Sequence, residues 1–464
     1  MQSATNPLRK GLLALVFASA GFSSWAGPDT SVTLTLDQAR AAAAQALEAG
    51  RPGDALTLAR GLAAALPHDP LPHFVIASAH AQAGQPRDGR RAAARAFRLS
   101  KSPDHRFQAG QMAARLAVAE DRHSIAQYWL RRSANNAPTA EARKIVARDF
   151  RTVRALNPWR VSLDGGLRPS SNVNNGSEEA LQVIDGVPVT GFLSPAAQAL
   201  SGVIATANLS VSYRLRATAN SATLLTARYY MKRVRLSGDA RAQAPTASNS
   251  MFSADHLSFG LRHAFAVPQN GSAALSVSAG ASRSGDRPTY QFARIGGSRS
   301  WAVAEHGQIT LSAEAEERFS QRGTRYDARA LNVALTYGRA LENGDRLSLR
   351  FGMRDTSAAH FNDTGRTFSL RTSYAFKDAF GPVRVSAGLT LGHSDRPHYR
   401  SGFIAVPGGR QDTSLYADVN LMFEQIDYAG FSPSLRLRAG RTKSNDSRFT
   451  TREVSVAFGI ESNF

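Results

Sequence analysis

The chain contains no cysteine. That excludes disulfides, thiolate metal sites, a cysteine nucleophile and anchorage through an acylated cysteine. After residue 26 there is no uninterrupted apolar run of about 20 residues, the length a membrane-spanning helix needs. Acidic residues are scarce beside basic ones: 36 Asp and Glu stand against 56 Lys and Arg, a net charge of +20. Such a field attracts nucleic acid, anionic headgroups or acidic protein. Also missing are a metal-ligand cluster, a phosphate-binding glycine loop and a nucleophile elbow, so no cofactor and no enzyme activity are expected. His393-Ser394-Asp395 assembles triad residue types in one place, but neighbours on a strand point to opposite faces and cannot form a relay. His256, His263 and His360 are each isolated in sequence.

What is present begins with an address. Arg9 and Lys10 precede the apolar run Gly11 to Gly21, and Ser24-Trp25-Ala26 offers small residues at the −3 and −1 sites. Residues 1–26 are therefore expected to be a signal peptide cleaved before Gly27. An exported chain has no nucleic acid to meet.

Residues 27–156 are Ala- and Arg-rich with helical spacing. GRPGDALTLARGLAAALP starts at Gly50 and GQPRDGRRAAARAFRLSK at Gly84, so the period is 84 − 50 = 34 residues. A looser third copy starts at Asp121. That period fits the tetratricopeptide repeat, a helix-turn-helix unit. Gly50 and Gly84 fall in the turn, Ala55 and Ala126 are the small residues of the second helix, and Pro67 and Pro138 follow it. Ala77 and Ala114 let neighbouring helices approach. Gly89 departs from the small-Ala slot, and Lys101 stands where proline is usual. Arg90, Arg91, Arg95, Arg98, Arg131 and Arg132 crowd the repeat and fit a solvated helix face.

Beyond Pro158 the period changes to two. Leu347, Leu349, Phe351 and Met353 alternate with Ser348, Arg350, Gly352 and Arg354; Leu435 and Leu437 alternate with Arg436 and Arg438. An apolar row opposite a charged row fits lipid outside and a wet lumen inside. Since only closed barrels place strands in a bilayer, residues 157–464 are expected to form an antiparallel outer-membrane β-barrel of about fourteen strands. Arg350, Arg354, Arg436 and Arg438 are then candidate lumen-lining residues. Even-numbered strands end in short turns such as LENGD at 341, whereas odd-numbered ones lead into longer or more polar links such as 168–201. The final strand, EVSVAFGIESNF, ends on Phe464, and a terminal aromatic of this kind resembles the signal read by the barrel-assembly machinery.

The first barrel strand leads into Pro169, Ser170, Ser171, Asn172, Val173, Asn174 and Asn175. Signal peptide, short tetratricopeptide domain, then a barrel opening with Pro-Ser-Ser-Asn-Val-Asn together resemble the surface lipoprotein assembly modulators, the Slam family. The resemblance covers the whole mature chain. It implies an outer-membrane translocator that carries particular lipoproteins, or related secreted proteins, from periplasm to cell surface. The implied partners are that substrate, a periplasmic chaperone, the barrel-assembly machinery and outer-membrane lipid. The topology places 168–201 at the end of the barrel opposite the repeats, so Pro169, Ser170, Ser171, Asn172, Asn174 and Asn175 are candidates for a gate or plug. Two other functions use the same parts: an exporter of an anionic polysaccharide, and a periplasmic scaffold anchored by a plugged barrel.

Overall fold

The computed structural model describes residues 34–268, 271–285, 287–303, 305–426 and 431–462. The expected signal peptide 1–26 and Phe464 lie outside the described residues.

Among the described residues seven helices come first: α1 Leu36–Glu48, α2 Pro52–Ala65, α3 Leu71–Gln82, α4 Pro86–Leu99, α5 Pro103–Ala119, α6 His123–Ala134 and α7 Ala140–Leu156. They pair as three hairpins with α7 following, a tetratricopeptide-like stack. The turn inside each hairpin repeats to the atom. Gly50, Gly84 and Asp121 take φ of 68°, 67° and 56°. The next residue in each case, Arg51, Gln85 or Arg122, donates its N–H back to the carbonyl of Ala46, His80 or Ala117. This is the left-handed closure that ends a helix and that glycine adopts most easily. Pro52 and Pro86 then start the second helix at a position where no N–H is needed.

Small residues let the helices approach. Ala77, Ala93, Ala109, Ala113, Ala117 and Ala126 are completely buried. The departure at Gly89 has a steric cause: a Cβ there would sit 3.0 Å from the Ala77 carbonyl oxygen and 3.1 Å from Leu116. Not all the arginines are solvated. Arg90 is paired with the buried Glu120 across 30 residues of sequence, with Nη2 donating at 3.2 Å. Arg132 and Arg131 lie over the rings of Phe97 and Phe150 at 4.6 and 5.1 Å.

The stack meets the barrel through a defined junction. Asn157 is buried, with Nδ2 donating to Ser124 and Gln127 and Oδ1 accepting from the Trp159 N–H. Arg214 reaches back from a barrel strand and donates to the carbonyls of Ala155 at 2.8 Å and Leu156 at 2.9 Å. A cation on the open carbonyls at a helix C-terminus is favoured by their partial negative charge.

Fourteen antiparallel strands close into a barrel, the first, Trp159–Ser170, pairing with both Gly202–Ala217 and the last, Thr451–Ser462. Register follows the alternation in sequence. Val161, Phe259, Leu275 and Ile295 are each 60–65% exposed, part of an apolar surface carried on the outward rows. Around the end next to the helices, Trp159, Tyr213, Phe265, Trp301, Tyr337 and Tyr374 share the outward rows. An apolar band with an aromatic girdle is the exterior of an outer-membrane barrel.

Turns at the helical end are short, as at 218–220 and 341–345. At the far end, 171–201, 237–253 and 397–409 are long, but the link between Ser284 and Arg287 is as tight as any opposite turn. The expected length asymmetry therefore rests on three connections. The segment expected to be loop from 168 also begins later. Pro169 and Ser170 still pair with Val203 and Gly202, so the strand runs through them.

The closing seam is tight. Gly166 faces Gly459, and a Cβ on Gly166 would sit 2.5 Å from the Phe458 carbonyl oxygen. Pro169 has no N–H to give to the ladder. We expect Gly166→Val to reduce the heat-modifiable, folded fraction on unheated gels, since forced overpacking costs about 1–3 kcal/mol. Wild-type migration of that variant would contradict the packing described for the seam.

Candidate functional site

The inward rows carry guanidinium groups held by a few carboxylates. The densest group centres on Glu316, whose side chain is 1% accessible. Register brings Arg294 directly opposite it on one side and the small Ala330 on the other. Ala330 leaves room for Arg354 to cross from the second strand over. Arg294 donates through Nε to Oε2, Arg318 through Nε to Oε1 at 2.6 Å, and Arg354 through Nη2 to Oε1 at 2.9 Å. Arg354 also donates to Asn332 at 2.8 Å. Arg294 and Arg318 lie over the Phe292 and Tyr290 rings at 4.0 and 4.7 Å. One carboxylate thus holds three cations, and the excess positive charge faces the lumen.

A second group follows along the wall, beginning on the strand paired with that of Arg354. Arg371 makes a two-pronged bond to Asp418, at 2.9 and 3.1 Å, over an intervening strand. Gly388 on that strand makes the crossing possible, because a Cβ there would be 2.5 Å from the Arg371 Nη2. Glu453 takes Arg168 and, at 3.9 Å, Arg438, whose guanidinium lies 4.5 Å over the Tyr416 ring. All four arginines expected to line the lumen occupy inward rows. Arg350 stands beside Arg371, and Arg436 beside Asn420. The structure therefore distributes them, with Arg354 in the Glu316 group and the other three near the second.

The residues expected to form a gate divide. Pro169 is on the outward row of the wall, away from the lumen, and Ser170 accepts the Asn172 N–H at 3.2 Å. From Ser171 the chain turns inward and is tightly bonded. Val173 is buried against the inward-facing Ile204 and Val234. Asn172 closes a ring with Gly176 by two bonds of 2.8 Å. Asn174 donates to the carbonyls of Ala196 and Gln198 and accepts from the Leu200 N–H. Asn175 takes a left-handed φ of 55°. The same segment carries a hairpin, Leu181–Ile184 with Val187–Phe192, and is tied to the 397–409 and 445–450 connections through Gln182 and Ser177. It is an ordered insert on one side of the far mouth.

His393-Ser394-Asp395 separates across the wall, with Ser394 inward and its neighbours outward. Among the described residues no group of three or more His, Asp or Glu could hold a metal ion. In the sequence Ile309, Leu311, Ala313 and Ala315 alternate with Thr310, Ser312, Glu314 and Glu316, which puts Glu316 on a polar row. Arg318 is on the same strand two residues along, whereas Arg294 and Arg354 come from strands that only the register brings together.

No protein-family model matches the chain, and no curated protein sequence matches it. Solved structures give low-level likenesses. The first tetratricopeptide domain of human RPAP3 is 15% identical, with 26% of this chain and 92% of that one covered and a TM-score of 0.24. The COG4313 outer-membrane channel from Pseudomonas putida F1 is 11% identical, with 64% and 95% covered and a TM-score of 0.32. Pseudomonas aeruginosa OccK9 is 14% identical, with 64% and 97% covered and a TM-score of 0.35. No function follows from likenesses at these scores.

Glu316→Gln removes the carboxylate shared by three guanidinium groups and, among the described residues, leaves only Arg294 with a second acid, Glu314 at 3.7 Å. It should cost about 3 kcal/mol in denaturant unfolding from liposomes, the usual penalty for removing one partner of a buried ion pair. Glu317→Gln, on the outward row beside the exposed Arg329, should cost less than about 1 kcal/mol. Equal losses would show that Glu316 does not anchor the group.

Proposed function

We propose that the protein is an outer-membrane translocator of the Slam type, which delivers specific surface lipoproteins or related secreted proteins from periplasm to cell surface. The observation that carries this is the junction. A repeat stack suited to binding extended segments is hydrogen-bonded through Arg214 and Asn157 to the rim of a closed, wet-lumened barrel. A freely tethered domain would need no such bonds.

In this proposal the helices and short turns face the periplasm, and the 171–201 insert faces outward. The stack engages the substrate or its chaperone, the lumen provides the route, and the insert controls the far mouth. Folding or capture of the substrate outside drives transport, since the periplasm holds no ATP. Residues 1–26 direct export, and Phe464 serves the assembly machinery.

A second function, export of an anionic polysaccharide, is favoured by the inward arginines. One experiment separates the two. Deleting residues 157–464 should abolish surface display of a co-expressed lipoprotein encoded beside the gene and leave surface polysaccharide unchanged. Persisting display would refute the translocator, and loss of polysaccharide alone would favour the exporter.

The junction makes a finer prediction. Arg214→Ala should lower display several-fold while the barrel remains folded on unheated gels. Unchanged display would mean that docking to the rim plays no part.

A further inference from the structure

Between the Glu316 group and the far rim, the inner wall forms a cleft of about 320 Å³. Three arginines from three strands line it: Arg318, Arg354 and Arg396. Among the lining residues Asp363 is the single acid, and Arg322 adds a further cation at the rim. Glu316 cannot neutralise this group, because it is shared with Arg294 as well.

The donors are not used up. Arg318 spends its Nε on Glu316 and is backed by the Tyr290 ring. Arg396 donates Nη1 to the Asn362 carbonyl at 2.8 Å, while its buried Nε has no hydrogen-bond partner among the described residues. Hydroxyls of Thr356, Thr367 and Ser394 share the wall. Cations gathered in a half-buried cleft repel one another unless an anion enters, and unpaired donors there carry a desolvation cost.

Ligand shape follows from the donors' directions. A planar carboxylate satisfies one guanidinium fork, whereas a phosphoryl group presents acceptor oxygens in several directions. The volume suits a diphosphate or a sugar phosphate and is within the usual span for small-ligand sites. Bilayer lipid is excluded as the source, since Arg318, Arg354 and Arg396 are all on inward rows. We propose that this cleft binds a phosphate-bearing solute of diphosphate or sugar-phosphate size at the outer part of the lumen. The site stands whether or not the barrel translocates lipoproteins.

The test uses the full-length protein in detergent and inorganic pyrophosphate as probe, titrated calorimetrically at low ionic strength. Saturable one-to-one binding is expected, weaker by roughly tenfold or more in Arg396→Gln, the effect of losing a charge-assisted hydrogen bond. Arg396→Lys should recover part of it. Arg329→Gln removes a charge from the outward row near the same rim and should leave binding unchanged. Citrate should bind more weakly than pyrophosphate. Pyrophosphate should also raise the unfolding temperature of the unaltered protein, a readout that needs no variant to fold. Absent saturable binding, an unmoved unfolding temperature, equal affinity for citrate, or equal weakening by Arg329→Gln would each overturn the proposal.

Discussion

Hydrocarbon offers backbone N–H and C=O groups no partner, so every strand in a bilayer must be paired along both edges. For this chain the condition comes down to one seam, where Trp159–Ser170 meets Thr451–Ser462 across nearly the whole barrel sequence. Gly166 and Gly459 bring the two backbones together there. Once that pairing exists, the outward rows form a continuous apolar band and the inward rows enclose a lumen. The junction with the helices is set by the same closure. Arg214 sits on the strand beside the first one, close enough to reach the open carbonyls of α7.

Closure also concentrates charge. Basic side chains that would be scattered on an open sheet are turned toward a common interior. The structure answers with few carboxylates, two of which serve more than one guanidinium group. Glu316 takes three, Glu453 takes Arg168 and Arg438, and Asp418 takes Arg371 over a glycine. Positive charge is left over, and it favours anionic solutes or polymers inside the barrel. The polar insert from Ser171 is consistent with such an interior. Its asparagines satisfy backbone groups, while Val173 takes the one apolar patch that Ile204 and Val234 offer.

Much of this was legible beforehand because the signals are local and periodic. A 34-residue repeat located the helical turns, and Gly50, Gly84 and Asp121 share one backbone conformation. Alternation placed Arg350, Arg354, Arg436 and Arg438 on inward rows and gave fourteen strands. Composition misled where geometry mattered more. Pro169 and Ser170, turn-prone by type, continue a strand because both stay paired with Val203 and Gly202 on one side, while the ladder to the last strand passes over Pro169 and resumes at Ser170. Arg90, one of a run that looked solvated, is held by Glu120 from the next repeat.

The sequence by itself determined the kinds of elements, their order and which face of each strand meets lipid, because periods of 3.6 and 2 reflect backbone geometry within a single element. Only the tertiary structure decided which side chains meet. Arg354 reaches Glu316 from 38 residues away, and Arg396 joins Arg318 in one cleft, through strand registers set by seam and turns together. A shift of two residues in the pairing of Ala328–Ala340 with either neighbouring strand would preserve every alternation and take Arg354 away from Glu316.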